Sequence, residues 1–107
     1  QRPISAERQF VAAARLAPHD PAARTAAAVG AFTKADPAKA FGRLGPLTGV
    51  FPKSSVVRLE LGLLLLWNGD SKKALTQFRL AAAAQPGSSY SKDARALLAR
   101  LHATRPK

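Results

Sequence analysis

The sequence predicts an all-α protein assembled from repeated pairs of helices. Pro18, Pro52 and Pro86 recur at intervals of 34 residues. The same interval separates three alanines, each followed four residues later by a bulky apolar residue: Ala6 with Phe10, Ala40 with Leu44, and Ala74 with Phe78. Apolar residues within each interval are spaced by three or four, as on one face of a helix. A fixed period of this length is typical of one helix pair per repeat.

Six helices are predicted in order along the chain, at residues 5–17, 21–34, 37–50, 54–67, 71–85 and 89–103. The second and third begin at Asp20-Pro21 and Asp36-Pro37, where a capping side chain precedes a proline that needs no N–H partner. Asp70 is expected to cap the fifth helix. Serines are expected to open the other two: Ser54 or Ser55 for the fourth helix, and one of Ser88, Ser89 or Ser91 for the sixth.

The third predicted helix contains the dipeptide Gly45-Pro46. A proline inside a helix removes a backbone hydrogen bond and crowds the carbonyl of the residue four positions earlier, here Gly42, at a cost of about 3 kcal/mol. We therefore expect a kink or break at this dipeptide. Because Pro18 and Pro52 keep the 34-residue interval, the break should distort this repeat without lengthening it.

The fourth predicted helix contains a leucine-rich run from Leu59 to Trp67. A helix that crosses a membrane needs roughly 20 consecutive apolar residues. Charged residues interrupt and bound this run at Arg58, Glu60 and Asp70, so no transmembrane segment is expected. A helix that is apolar on nearly all sides is instead typical of a core helix covered by its neighbours.

The third 34-residue interval resembles the tetratricopeptide repeat, whose pattern is W-x2-L-G-x2-Y, then A-x3-F, then P. It contains Arg58-x2-Leu61-Gly62-x2-Leu65, then Ala74-x3-Phe78, then Pro86, with Gly69-Asp70 in the turn. The second interval matches less fully, with Arg24, Ala27, Ala28 and Ala31, then Ala40, Leu44 and Pro52. Arginine at both aromatic opening positions, and leucine or alanine in place of the tyrosine, depart from the family pattern.

The resemblance implies a right-handed α-solenoid of antiparallel helix pairs that forms a single domain over residues 1–107. Its parts would be a half repeat 1–19, the repeats 20–53 and 54–87, and a closing helix 88–104. The resemblance also implies that Gly62 lets a neighbouring helix approach closely. The closing helix carries polar residues that suit the exposed end of a repeat array: Lys92, Asp93, Arg95 and Arg100.

The resemblance further implies a concave binding groove lined by the first helix of each repeat. Residues that share one face of these helices are its candidate lining: Ala22, Thr25, Val29 and Phe32 in one repeat, and Val56, Leu59, Leu63 and Leu66 in the next. Members of the family that clamp a terminal carboxylate use Lys, Asn and Arg, whereas candidate places here hold Thr25, Val29, Leu59, Glu60 and Leu63. An apolar peptide or helix of a partner protein, or a second copy of this chain, therefore suits the groove better. Alternatively, these residues only pack against the neighbouring first helices.

Charge raises a second hypothesis, because 17 Lys and Arg against six Asp and Glu give a formal net charge of +11. Arg24, Arg58 and Lys92 also recur at the 34-residue interval, so in a repeat array they would form a basic ladder able to meet RNA or another anionic surface. Alternatively, the long stems only cover apolar surface. RNA readers also stack bases on aromatic rings, and Phe32, Trp67 and Tyr90 are the candidates here. The protein-interaction hypothesis is favoured over nucleic acid binding.

No catalytic or metal-binding pattern is recognised in the sequence, so we expect neither an enzyme nor a cofactor. His19 and His102 have no partners at metal-ligand spacing, and the chain contains no cysteine. The glycines at positions 42, 45 and 49 match neither GxGxxG nor GxxxxGK[ST], and no lysine follows them.

The chain is expected to be a processed piece of a longer protein, since it begins at Gln1 with no charged-then-apolar leader and contains no methionine. Its compartment, cytoplasmic or extracytoplasmic, stays open. The half repeat would then expose an apolar edge at Ala6 and Phe10. Self-association, or capture of an apolar segment, is expected through this edge and the groove.

Overall fold

A computed structural model describes residues 12, 15–30 and 36–104, with side chains to His102. The helices within these ranges are α1 (Pro21–Val29), α2 (Ala38–Leu44), α3 (Leu47–Val50), α4 (Ser55–Trp67), α5 (Ser71–Ala84) and α6 (Ser89–Thr104). All regular structure in the described part is helical, so the all-α prediction is confirmed there. Ala6, Phe10 and Phe32 lie outside the described residues, as does most of the predicted helix 5–17.

The chain divides into two compact units, Gln1–Pro52 and Lys53–Lys107. In the first unit α1 packs against α2 and α3, and in the second α4, α5 and α6 all contact one another. The division falls one residue before the expected start of the repeat 54–87. None of the helices in the described ranges combines the length and the apolarity needed to cross a membrane.

The first unit contains the break expected at Gly45-Pro46. Helix α2 ends at Leu44 and α3 begins at Leu47, so one predicted helix becomes two and the prediction is confirmed. Around the break, the Gly45 N–H still donates to the Phe41 carbonyl at 2.8 Å, and the Thr48 hydroxyl donates to the Gly45 carbonyl at 2.7 Å. Among the described residues of this unit, the most buried side chains belong to Thr25, Ala28, Ala40, Leu44 and Leu47.

The second unit packs around Phe78 of α5. The buried cluster comprises Leu59, Ala74, Phe78, Ala81 and Ala94, with half-buried leucines of α4 and α6 against it. A Cβ atom at Gly62 would lie 2.5 Å from Cε1 of the Phe78 ring. Glycine is therefore required for α4 to approach α5 this closely, as the resemblance implied.

The first residues of α1, α4 and α6 follow capping side chains that recur at the 34-residue interval. The Asp20 carboxylate accepts from the Ala22 N–H at 3.0 Å, and the Ser54 hydroxyl accepts from the Val57 N–H at 3.4 Å. The Ser88 hydroxyl accepts from the Ser91 N–H at 3.1 Å. These three helices therefore begin in the same register of the repeat.

The predicted cap of α5 is wrong. Asp70 occupies the N-cap position, but its side chain makes no capping hydrogen bond. Its carboxylate instead lies 3.7 Å from the Lys73 ammonium, on an exposed part of the helix. The carboxylate still lies close to the positive end of the helix dipole, where a negative charge is favourable. The predicted Asp36 cap of α2 is also wrong, because α2 begins at Ala38, one residue later than predicted, and its N-cap residue is Pro37, with no side-chain capping bond.

Buried Ser55 connects the start of α4 to the end of α5 by hydrogen bonds. The Ser55 hydroxyl donates to the Ala81 carbonyl at 2.6 Å and accepts from the Gln85 N–H at 2.9 Å. The Ser55 N–H in turn donates to the Gln85 side-chain carbonyl at 2.9 Å. Because Ser55 is fully buried, these bonds satisfy groups that would otherwise be costly to remove from water.

Candidate functional site

The second unit contains an open cleft of about 340 Å³ between α4 and α6, which we call the α4/α6 cleft. Both helices pack on α5 and on each other, which fixes the two walls of the cleft. The lining residues from α4 are Leu59, Glu60 and Leu63, and those from α6 are Asp93, Ala96, Leu97 and Arg100. The cleft therefore combines apolar and charged side chains.

The floor of the α4/α6 cleft is apolar and continuous with the core. Leu59 is only 4% exposed and belongs to the buried cluster around Phe78. Leu63 and Leu97 are half-buried and pack against the same cluster, so part of each side chain remains accessible from the cleft. An apolar ligand group could cover that remaining surface, and burial of apolar area is the main favourable term in most protein associations.

Two carboxylates lie beside this floor. Glu60 is half-buried, and its burial raises the pKa of the carboxyl above the ordinary glutamate value. Asp93 is exposed on the opposite wall. Neither side chain forms a hydrogen bond or an ion pair with another residue in the described part of the chain. Arg100, also exposed, contributes a positive charge to the same lining.

The groove residues predicted on α4 divide into two pairs. Leu59 and Leu63 line the α4/α6 cleft. Val56 is only 7% exposed, and Leu66 is half-buried against the core cluster; neither lines the cleft. The physical reason is that consecutive positions on one helical face span several turns, and neighbouring helices cover only some of those turns.

The groove residues predicted on the second helix lie in the first unit. Thr25 is 2% exposed, and its buried hydroxyl has no hydrogen-bond partner within the described residues. Ala22 and Val29 are half-buried on α1. Phe32 lies outside the described ranges. Continuation of the groove onto these residues stays a prediction.

The residues of α6 that line the cleft are missing from the predicted groove. The 34-residue interval itself identifies the main ones, because Leu59, Leu63 and Leu66 correspond to Asp93, Leu97 and Arg100. The sequence-based prediction describes helix 89–103 only as a polar closing helix and gives it no groove residues. The 34-residue interval that defines the repeats is therefore sufficient to predict the cleft residues of α6 from those of α4.

The basic ladder consists of residues with different surroundings. The Arg24 guanidinium donates to the Pro18 carbonyl at 3.0 Å and lies 5.8 Å from the centroid of the Phe51 ring. Arg58 donates to the Gln77 side-chain carbonyl at 3.2 Å. Lys92 is exposed, whereas Arg24 and Arg58 are half-buried. The two arginines are thus engaged by contacts inside their own units.

A second open cleft, of about 400 Å³, lies along α5 and is mostly basic. Its lining comprises Lys72, Lys73, Leu75, Thr76 and Arg79, which we call the α5 basic face. Elsewhere, Trp67 at the end of α4 is 62% exposed and is the most accessible ring among the described aromatic residues. In the described ranges, no three His, Asp or Glu side chains come together as a metal-binding group.

No protein-family model, curated protein or solved structure matches this chain significantly.

Proposed function

We propose that this chain is a non-catalytic protein-interaction module of the tetratricopeptide type, which binds a peptide or helix of a partner protein in the α4/α6 cleft. The observation that carries the proposal is the leucine floor of that cleft, in which Leu63 and Leu97 are partly accessible and lie beside buried Leu59. An apolar floor with polar side chains beside it suits an amphipathic helix, which inserts its apolar face and leaves its polar face in water.

The recurrence of burial at the 34-residue interval supports the proposed right-handed solenoid of repeats. Ala40 and Ala74 are equivalent positions, and both are fully buried. Leu44 and Phe78 are likewise equivalent and fully buried. In repeat proteins each unit buries its apolar face mainly against its immediate neighbours, so equivalent positions are expected to have equal burial.

Leu63 is the residue with which to test the proposal. Full burial of a leucine is worth roughly 1.5–3 kcal/mol, and Leu63 is already half-buried, so loss of the contact alone should weaken a complex about several-fold. The Leu63→Glu change also places a charge on the apolar floor. Leu80 provides a matched control because it is a 42% exposed leucine of α5 that does not line the cleft.

The experiment is an NMR titration of the isotope-labelled 107-residue chain with amphipathic helical model peptides of about four turns. The proposal predicts shift changes concentrated at Leu59, Leu63 and Leu97. Leu63→Glu should weaken binding at least about tenfold, whereas Leu80→Glu should leave it unchanged. Circular dichroism of both variants is the control that they remain helical. Equal affinities of the two folded variants, or shift changes elsewhere, would overturn the proposal.

Binding of RNA or another anionic surface is the alternative, and the α5 basic face supports it better than the basic ladder does. Lys72, Lys73 and Arg79 converge on one open cleft, whereas Arg24 and Arg58 are engaged internally. Phosphate binding releases counterions, so affinity for single-stranded RNA should fall steeply with salt. A steep salt dependence that Lys72→Ala with Arg79→Ala removes would favour this alternative, and salt-independent peptide binding would count against it.

A further inference from the structure

We propose that the α4/α6 cleft selects a cationic amphipathic segment, in which a Lys or Arg side chain lies within one helical turn of an apolar anchor. This inference rests on the proposed function of the same cleft and adds the chemistry of the partner. Its basis is the placement of Glu60 and Asp93 on opposite walls of a leucine floor.

The distribution of acidic residues singles out this cleft. The whole chain has six Asp and Glu against 17 Lys and Arg. Two of those six acidic residues, Glu60 and Asp93, line the α4/α6 cleft, where Arg100 is the single basic residue. Of the other described acidic residues, Asp20 caps α1 and Asp70 lies beside Lys73. The cleft lining is therefore acidic on balance, in a chain whose formal net charge is +11.

Glu60 is the acidic group that gains most from a cation. Its carboxyl is half-buried and has no ion-pair or hydrogen-bond partner among the described residues. The raised pKa reflects the cost of partly removing the charged form from water without compensation. An ammonium or guanidinium group of the ligand beside Glu60 would stabilise the charged carboxylate. A ligand with apolar side chains only would not.

The spacing of acidic and apolar residues defines the ligand pattern. On α4, Glu60 and Leu63 are three residues apart, and on α6, Asp93 and Leu97 are four apart. Each pair therefore lies on one helical face within a single turn. A ligand helix with a cationic residue three or four positions from a Leu or Ile would present the complementary pattern to either wall.

The test compares two model helices that share one apolar face and carry either Lys or Glu at all polar positions. Each is titrated into the full 107-residue chain by fluorescence anisotropy. We expect the Lys peptide to bind at least about tenfold more tightly than the Glu peptide. This preference would run against the net charge of +11, which favours the Glu peptide at long range.

Three variants assign the preference to the cleft. Glu60→Gln and Asp93→Asn should each reduce the ratio of Lys-peptide to Glu-peptide affinity several-fold. Asp70→Asn changes the net charge equally, at an exposed site of the same unit that does not line the cleft, and should leave the ratio unchanged. Glu60→Lys should reverse the preference if the contact is direct.

The outcomes separate this inference from the function on which it rests. If both peptides bind the cleft with equal affinity, or the Glu peptide binds better, the cleft is a docking site without cationic selectivity and this inference is overturned. If neither peptide binds, the proposed function fails as well. If sedimentation shows self-association that Leu63→Glu abolishes and the Lys peptide does not compete, the occupant is a second copy of the chain, which also overturns the inference.

Discussion

The two units share a 34-residue register but differ in the length and continuity of their helices. Helices α4, α5 and α6 contain 13, 14 and 16 residues, whereas α1, α2 and α3 contain 9, 7 and 4. The positions equivalent to Gly45 and Pro46 in α5 are Arg79 and Leu80, through which the helix runs unbroken. The repeat register thus determines where a helix begins, and individual residues determine how far it continues.

Equivalent buried positions of the two units also hold different side chains. Gly62 and Phe78 of the second unit correspond to Ala28 and Leu44 of the first. Compared with the second unit, the first has a larger residue at the glycine position and a smaller residue at the phenylalanine position. Volume-conserving combinations of this kind keep interior packing dense.

The units differ in buried polar bonds as well. Ser55 and Gln85 connect α4 to the end of α5, but the equivalent positions in the first unit are Pro21 and Phe51. There the Phe51 ring lies under the Arg24 guanidinium instead. The second unit therefore has a hydrogen-bonded link between its helices at a place where the first unit relies on a ring contact.

Removing the largest buried side chain should have the largest effect. Phe78 is fully buried, and Phe78→Ala should cost about 3–5 kcal/mol of the free energy of unfolding of α4–α6. Leu44→Ala, at the equivalent position, should cost about 2–5 kcal/mol in α1–α3. Hydrogen exchange measured helix by helix checks both values. Full protection of α4–α6 in the Phe78→Ala protein would show that this ring does not hold the unit together.

Exchanging the packing pair tests the size complementarity directly. Gly62→Ala places a methyl group against the Phe78 ring and should destabilise the chain by about 1–3 kcal/mol, although alanine is the better helix former. Adding Phe78→Leu reproduces the pair found in the first unit and should recover part of that loss. Urea unfolding of the two single variants and the double variant gives the coupling energy. Strict additivity of the two changes would contradict direct contact.

Joining α2 to α3 would reduce the difference in helix length between the units. Pro46→Ala supplies an N–H that can donate to the Gly42 carbonyl, so we expect a continuous helix and a gain of about 0.5–1.5 kcal/mol. The measurements are far-UV circular dichroism and hydrogen exchange at residues 46–50. Pro52→Ala, at an exposed proline outside the helices, serves as the control. An unchanged helical signal would show that Gly45 or Thr48 maintains the break.

The smallest expected effect is the pH dependence that Glu60 confers on the second unit. Burial raises the pKa of the Glu60 carboxyl in the folded chain, so the folded chain binds the carboxyl proton more tightly than the unfolded chain does. The free energy of unfolding therefore falls as the pH rises from the unfolded-state pKa through the folded-state pKa. The equivalent residue in the first unit is Ala26, which does not titrate. Glu60→Gln should therefore raise the melting temperature slightly at about pH 7 and have no effect at about pH 3.

Thermal unfolding of both proteins between about pH 3 and pH 7 checks this prediction, with Asp93→Asn as a control at an exposed carboxylate. A melting temperature for Glu60→Gln below that of the parent at neutral pH would mean that the Glu60 charge is stabilised in the folded chain. The pH dependence would then have the opposite sign.

The sequence predicted the described helices well where caps and breakers act locally. Asp20, Ser54 and Pro46 act through the backbone within a few residues, so their effects can be deduced without knowledge of the tertiary structure. Asp70 was assigned a cap that its side chain does not make, because the choice between a capping bond and an exposed pair with Lys73 depends on rotamers rather than on spacing.

The site was predicted less completely than the helices. Leu59 and Leu63 were identified from the periodicity of one helix, but the exposure of each residue depends on which neighbouring helix covers it. Val56 illustrates this point, because it shares the face of Leu59 and yet does not line the cleft. The acidic character of the cleft depends on Asp93 of another helix, and a single-helix pattern cannot contain that information.

The caps at Asp20, Ser54 and Ser88 make the chain extensible. Helix α6 packs on α4 and α5 and begins in the register of α4, so in the proposed solenoid it would take the place of the first helix of an additional repeat. A tandem duplication of residues 54–87 would bring a copy of α4 to that place with its serine cap already in position. In the proposed solenoid, such a duplication would create another leucine-lined cleft with a new glutamate, so the number of these clefts would grow by gene duplication without a change of the core.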